Sequence, residues 1–197
     1  MGIVLWNFFA EVTTGSIASI VSRGDLIRKL NFPKYVLVLA GSFSALINLF
    51  LNSIVIAAFM IFSGIELRSA ALLLPIFILE LFVFALAIGF FLSAAFVRYR
   101  DVNYIWEVVM QGAFYATPII YPLSLIPFDA AKLLMLNPVA QIMQDIRYIM
   151  VTPETMTIND FYGTHLIRLF PISVAVILVI VSALYFRSRS KHFAEEV

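Results

Sequence analysis

Between Phe91 and Pro122 the sequence runs FLSAAFVRYRDVNYIWEVVMQGAFYATPIIYP. An apolar run ends in the charge cluster Arg98-Tyr99-Arg100-Asp101. A second run begins at once and stops at Pro118 and Pro122. Two long hydrophobic segments joined by so short a charged link predict a helical hairpin in a membrane. Lys and Arg are retained on the cytoplasmic side, so this cluster marks a cytoplasmic hairpin and fixes the direction of both helices.

The remaining chain has to fold around that hairpin, and its composition leaves little choice of solvent. It is 62% hydrophobic and 13% charged, against roughly 25% charged in a soluble domain. No cysteine is present, which excludes disulfides and thiolate metal sites. His165 and His192 are far apart without ligand-like neighbours, so no metal site is expected. A net charge of +1 offers no argument for nucleic-acid binding. No Gly-rich phosphate loop followed by Lys-Ser/Thr occurs, so ATP hydrolysis and catalytic residues are not expected in this chain.

Working outward, Leu5 to Val21 is apolar enough for a short or oblique span, with Trp6 suited to the membrane interface. Arg23 follows it, so this helix runs inward. An outside N-terminus with almost no tail implies an upstream span that this sequence lacks. Ser22 to Tyr35 is polar and basic. Within it Asp25, Leu26, Ile27, Arg28, Lys29 and Leu30 read as one short amphipathic helix, closed by Phe32-Pro33 because proline cannot continue it. Leu26, Ile27 and Leu30 form its apolar stripe. An ordinary basic loop is the alternative.

Val36 to Phe62 is the next span, broken by Asn48 and Asn52 on one face. Such residues serve interhelical hydrogen bonds, or else line a polar path. Ala70 to Val97 returns inward and carries Glu80. A carboxylate at that depth is a functional hypothesis by default, and no intramembrane Lys or Arg is there to pair it. Val102 to Tyr121 runs out again, with Glu107 and Gln111 one turn apart and Gly112 small enough for close helix contact.

Leu123 to Val151 is apolar yet too interrupted to span. Ile126-Pro127 begins one short helix, and Asn137-Pro138 begins a second with Asn as N-cap and Pro first. In that second helix Val139, Ile142, Met143, Ile146 and Met150 share a face, while Gln141, Gln144, Asp145 and Arg147 lie elsewhere. The pair is read as a re-entrant hairpin in the outer leaflet, either gating or merely interfacial. Thr152 to Gly163 reads as a polar loop, and Leu166 to Phe186 as the last span. Of the 13 Lys and Arg, nine then fall inside (Arg23, Arg28, Lys29, Lys34, Arg98, Arg100, Arg187, Arg189, Lys191). Four fall outside (Arg68, Lys132, Arg147, Arg168). The fold expected is all-α: a polytopic helix bundle of five spans, a single transmembrane domain over 1–197.

Four stretches in order now carry a resemblance. They are Trp6-Asn7-Phe8-Phe9, then Leu26-Ile27-Arg28-Lys29 with Phe32-Pro33. Next comes Arg98-Tyr99-Arg100-Asp101-Val102 through Pro118-Ile119-Ile120-Tyr121-Pro122, and last Asn137-Pro138 with Arg147. The chain resembles the permease subunit of a type-2 ABC transporter, in the branch that exports O-antigen, capsule or teichoic-acid polysaccharides. That family's N-terminal interfacial helix and first span have no counterpart here.

The resemblance implies that Asp25 to Leu30 with Phe32 and Pro33 couples to an ATP-binding subunit. That subunit would hold the ATP and Mg, leaving this chain without cofactor. It further implies an external gate built from Pro118, Tyr121, Pro122, Asn137, Pro138, Gln141, Gln144, Asp145 and Arg147. A second permease copy, a polyprenyl-linked polysaccharide and membrane lipid are the implied partners, in the cytoplasmic membrane of a prokaryote. A type-2 permease for a drug or lipid is the alternative cargo reading. A non-ABC carrier or scaffold built around Glu80 is the alternative class.

Overall fold

A computed structural model describes every residue except 30–31, 65–68, 191–192 and 194–197. The side chains of Arg28 and His165 are also outside the description. The expectations placed on Leu30, Arg68, Lys191 and the Arg28 side chain therefore lie outside the described residues.

Among the described residues the chain is all-helical. The helices are α1 (Gly2–Ile17), α2 (Gly24–Lys29), α3 (Tyr35–Phe62), α4 (Leu74–Arg98), α5 (Val102–Tyr115), α6 (Phe128–Leu134), α7 (Pro138–Met150), α8 (Ile158–Tyr162) and α9 (Leu169–Arg189). With their short 3-10 extensions, α3, α4 and α9 are each long and apolar enough to cross a membrane. The other two expected spans are shorter. Helix α1 has 16 residues and turns by 52° into the segment leading to α2. Helix α5 has 14 residues and ends at Tyr115, because the chain turns before Pro118 rather than at Tyr121. A perpendicular crossing takes roughly 20 residues.

Helix α4 is the centre of the bundle, packed against α1, α3, α7 and α9. Leu81, Phe82 and Ala85 of α4 share one core with Leu5, Phe8, Phe9 and Val12 of α1 and with Ile142, Met143 and Ile146 of α7. Phe9 stacks on Phe84 with ring centroids 6.1 Å apart. The α1–α4 crossing is tight at Gly89, where an added Cβ would meet Ser16 Oγ at 2.5 Å. By contrast, a Cβ at Gly112 would meet nothing within 4 Å, so the close contact expected there is not made within this chain.

The two ends of the bundle differ in chemistry. The basic end carries α2, Lys34, the α4–α5 link and the last turn of α9. There Arg98 lies over the Tyr99 ring and Arg100 over Phe96. The opposite end carries α6, α7 and α8, and is called the hairpin end below. Asn137 caps α7 by accepting from the Val139 N–H at 3.0 Å, as the Asn-Pro start predicts. The segment Thr152 to Gly163 is not a plain loop. Thr157 and Asp160 form a capping box that starts α8, and Gly163 ends it with φ +65°. Between the ends, large side chains such as Phe50, Phe59 and Phe62 stand 67%, 67% and 88% exposed, as a hydrocarbon solvent permits.

Candidate functional site

Helix α5 has no buried residue at all, although it sits in the middle of the chain. Its residues Asn103, Glu107, Gln111 and Tyr115 recur every four positions and so share one face. Trp6, Ala10 and Thr14 do the same on α1. The two stripes, with Met110 and Phe114, line an open groove of about 690 Å3. Trp6 meets Phe114 edge to face at 5.7 Å, which closes the groove floor with apolar surface. On ideal helix geometry the α5 stripe is about 18 Å long. Of these residues the sequence reading singled out Glu107 alone as a site residue. The fourfold repeat around it was the available signal, and Trp6 was assigned to the membrane interface instead.

Asn48 and Asn52 do not reach that groove. Asn48 Nδ2 donates to Glu11 Oε1 at 2.6 Å, tying α3 to α1, and Asn52 Nδ2 donates to the Asn48 carbonyl at 2.8 Å. This is the interhelical-bond reading.

Glu80 is half-buried near the hairpin end, and it is not alone. Arg168, counted among the external cations at the start of the last span, and Asp145 both act on it electrostatically. Among the described residues Glu80 itself makes no ion pair, and the carboxylate that Arg168 pairs is Asp145. Arg168 forms an ion pair with Asp145 at 2.9 Å and accepts no rival anion within bonding distance among the described residues. Its Nε donates to Asn159 Oδ1 at 3.2 Å. Gln141 Nε2 donates to the other Asp145 oxygen at 3.2 Å. Burial pushes the Asp145 carboxyl above the ordinary carboxylate range, while Arg168 and Gln141 pull it down.

The polar face of α7 is therefore not presented outward. Gln141, Gln144 and Asp145 are 2%, 1% and 2% exposed, and the helix packs against α1, α4 and α9. Internal ion pairing and a close fit on three helices account for the difference from the expected surface. Gln144 alone reaches a cavity, together with Arg147 and Tyr121, and Arg147 donates to the Ile119 carbonyl. Pro118 and Pro138 are buried, and Pro122 is exposed.

At the basic end the expected apolar stripe of α2 is split. Leu26 is 42% exposed, whereas Ile27 is 6% exposed in a cluster with Ile20, Leu37, Val97, Phe186 and Phe193. Adjacent helical residues point about 100° apart, so one face cannot present both. Asp25 sits in the first turn of α2, Lys29 is exposed, and Phe32 packs beside the Ile27 cluster. Pro33 and Lys34 precede α3, and Lys34 Nζ donates to the Ser190 carbonyl at the end of α9. No group of three or more His, Cys, Asp or Glu side chains is arranged for a metal among the described residues.

Residues 1–151 match the family described as ABC-2 type transporter. The chain is similar to an O-antigen export system permease protein RfbA of Myxococcus xanthus. It is 29% identical over 203 residues, which cover 100% of this chain and 74% of that protein. Two proteins of the same name from Klebsiella pneumoniae are also similar. One is 26% identical over 140 residues, covering 71% of this chain and 54% of that protein. The other is 23% identical over 195 residues, covering 98% and 72%.

Proposed function

This chain belongs to the ABC-2 type transporter family of multi-pass membrane subunits, and from that premise we propose that it is the permease of an ATP-driven exporter of O-antigen-type polysaccharide. The α1–α5 groove carries this reading. Unpaired polar groups at membrane depth are tolerated only where they face protein or a water-filled cavity. Asn103, Glu107 and Gln111 form such a row on an otherwise apolar bundle, flanked by Trp6, Phe114 and Tyr115. Hydroxyl-bonding groups beside aromatic faces suit a sugar chain, because sugars offer both hydroxyl edges and apolar C–H faces.

In this reading the groove is one wall of the path, and a second copy of the permease supplies the other. The cargo rides on a polyprenyl-diphosphate lipid in the cytoplasmic membrane of a prokaryote. The basic end faces the cytoplasm, where α2 docks on an ATP-binding subunit that holds ATP and Mg. The chain moves the glycan and makes or breaks no covalent bond.

The test is replacement. In the parent organism stripped of its own permease gene, this chain should restore surface polysaccharide. Gln111→Leu with Glu107→Leu should lower display severalfold while leaving chain abundance unchanged, since both positions are exposed. Restored drug efflux or lipid flipping with no effect on surface polysaccharide would overturn the cargo assignment.

A further inference from the structure

Beyond the groove, a second cavity lies at the hairpin end, with a volume of about 390 Å3. It opens between the chain after α5 and the turn after α7, and its lining combines Tyr121, Gln144, Arg147, Thr152, Glu154 and Thr155. We propose that this cavity is an exit subsite that holds one pyranose unit of the glycan by its hydroxyls. The proposal rests on the polysaccharide reading above and adds to it a stopping place outside the spans.

Gln144 is the first observation. It is 1% exposed, it lines the cavity, and its Oε1 has no hydrogen-bond partner. A buried amide oxygen left unpaired is costly and calls for a donor from whatever fills the space. Arg147 and Glu154 add a guanidinium and a carboxylate, the pair of groups that bonds a sugar diol from both sides. With both charges present the cavity favours a neutral hydroxylated ring over a free anion. The hydroxyl of Tyr121 is already spent, donating to the Tyr115 carbonyl at 2.7 Å. Its ring is therefore held in place as a flat apolar surface rather than offered as a donor.

That same bond links the two sites. Tyr115 ends the α5 stripe of the groove, and Tyr121 is part of the lining of the cavity. A chain sliding along Asn103, Glu107, Gln111 and Tyr115 leaves the groove beside this cavity. A unit captured there is removed from the pool that can slide back, so the subsite biases movement outward between ATP-driven steps.

The experiment places a photo-crosslinking amino acid, p-benzoylphenylalanine, at Thr155 and separately at Gln111, in cells that make or lack the polysaccharide. Illuminated chain is purified and probed with a polysaccharide-specific antibody. Adducts at both positions, dependent on glycan synthesis, are expected. Adding Gln144→Leu or Glu154→Gln should cut the Thr155 adduct about tenfold and spare the Gln111 adduct, as loss of one well-made hydrogen bond does. Glu154 is exposed, so its substitution tests the cavity without touching the core. An adduct at Gln111 with none at Thr155, or a Thr155 adduct indifferent to both substitutions, overturns the exit subsite and leaves the exporter reading standing. No adduct at either position in cells that display polysaccharide through this chain overturns the path itself.

Discussion

The carboxylate of Asp145 on α7 lies 2.9 Å from the guanidinium of Arg168, in the turn that opens into α9. Asp145 is 2% exposed and Arg168 about a third exposed, so one partner is sealed while the other reaches the surface. The pair fastens the hairpin to the bundle, and Glu80 of α4 stands in the same field.

Removing the cation should therefore cost more than removing the anion. Arg168→Met leaves the buried Asp145 carboxylate without its cation and should destabilise by about 3 kcal/mol. Asp145→Asn keeps one acceptor, for Arg168, and its new NH2 can donate to the unpartnered Gln141 Oε1 once that amide flips, so it should cost about 1 kcal/mol. Glu80→Gln keeps size and hydrogen bonding, and export should remain nearly intact. Thermal melts of detergent-purified chain, read by size-exclusion fluorescence, would rank the three. A larger loss for Asp145→Asn than for Arg168→Met would contradict this account of the pair.

A second expectation concerns the α1–α4 crossing. Gly89 touches Ser16, whose own hydroxyl is bonded to the Val12 carbonyl at 2.6 Å. A leucine there has no room unless the two helices part. Gly89→Leu should destabilise by about 1–3 kcal/mol, and Gly112→Leu, on an open face, by far less. Equal melting temperatures for the two variants would mean that the crossing is looser than its geometry indicates.

Why the sequence revealed some of this and concealed the rest follows from range. Asn137-Pro138 starts α7 through a bond two residues long, and the Arg98–Asp101 cluster separates two helices through local charge. Both are short-range signals. The capping box at Thr157 and Asp160 was equally local and was passed over because its surroundings are polar. The Arg168–Asp145 pair spans 23 positions and the Tyr121–Tyr115 bond depends on a turn, so neither leaves a periodic trace. The groove was half visible: the α5 stripe repeats every four residues, but nothing in the sequence says that α1 lies beside it.

Sidedness can be checked directly, since the chain has no cysteine of its own. Ser63, after α3, and Ser188, in the last turn of α9, are both exposed. Single cysteines at the two positions should label from opposite sides of the membrane, Ser188 only after permeabilisation. Labelling of both by the same impermeant reagent in intact cells would invert or break the assigned topology.

The basic end supplies the sharpest contrast, because Leu26 and Ile27 are neighbours with opposite surroundings. Leu26 stands out from α2, the surface proposed to dock on the ATP-binding subunit, while Ile27 is packed against α3, α4 and α9 side chains. Leu26→Asp places a charge at the docking contact and nothing in the chain's own core. It should leave the melting temperature unchanged and sever ATP hydrolysis from export. Ile27→Asp buries a carboxylate among Leu37, Val97 and Phe186, and should destabilise the chain itself by about 3 kcal/mol or more. Co-purification of the ATP-binding subunit with each variant, beside a melt, separates the two outcomes. If Leu26→Asp still binds the subunit and exports at the parental rate, then α2 is a surface turn and the contact lies elsewhere on the basic end.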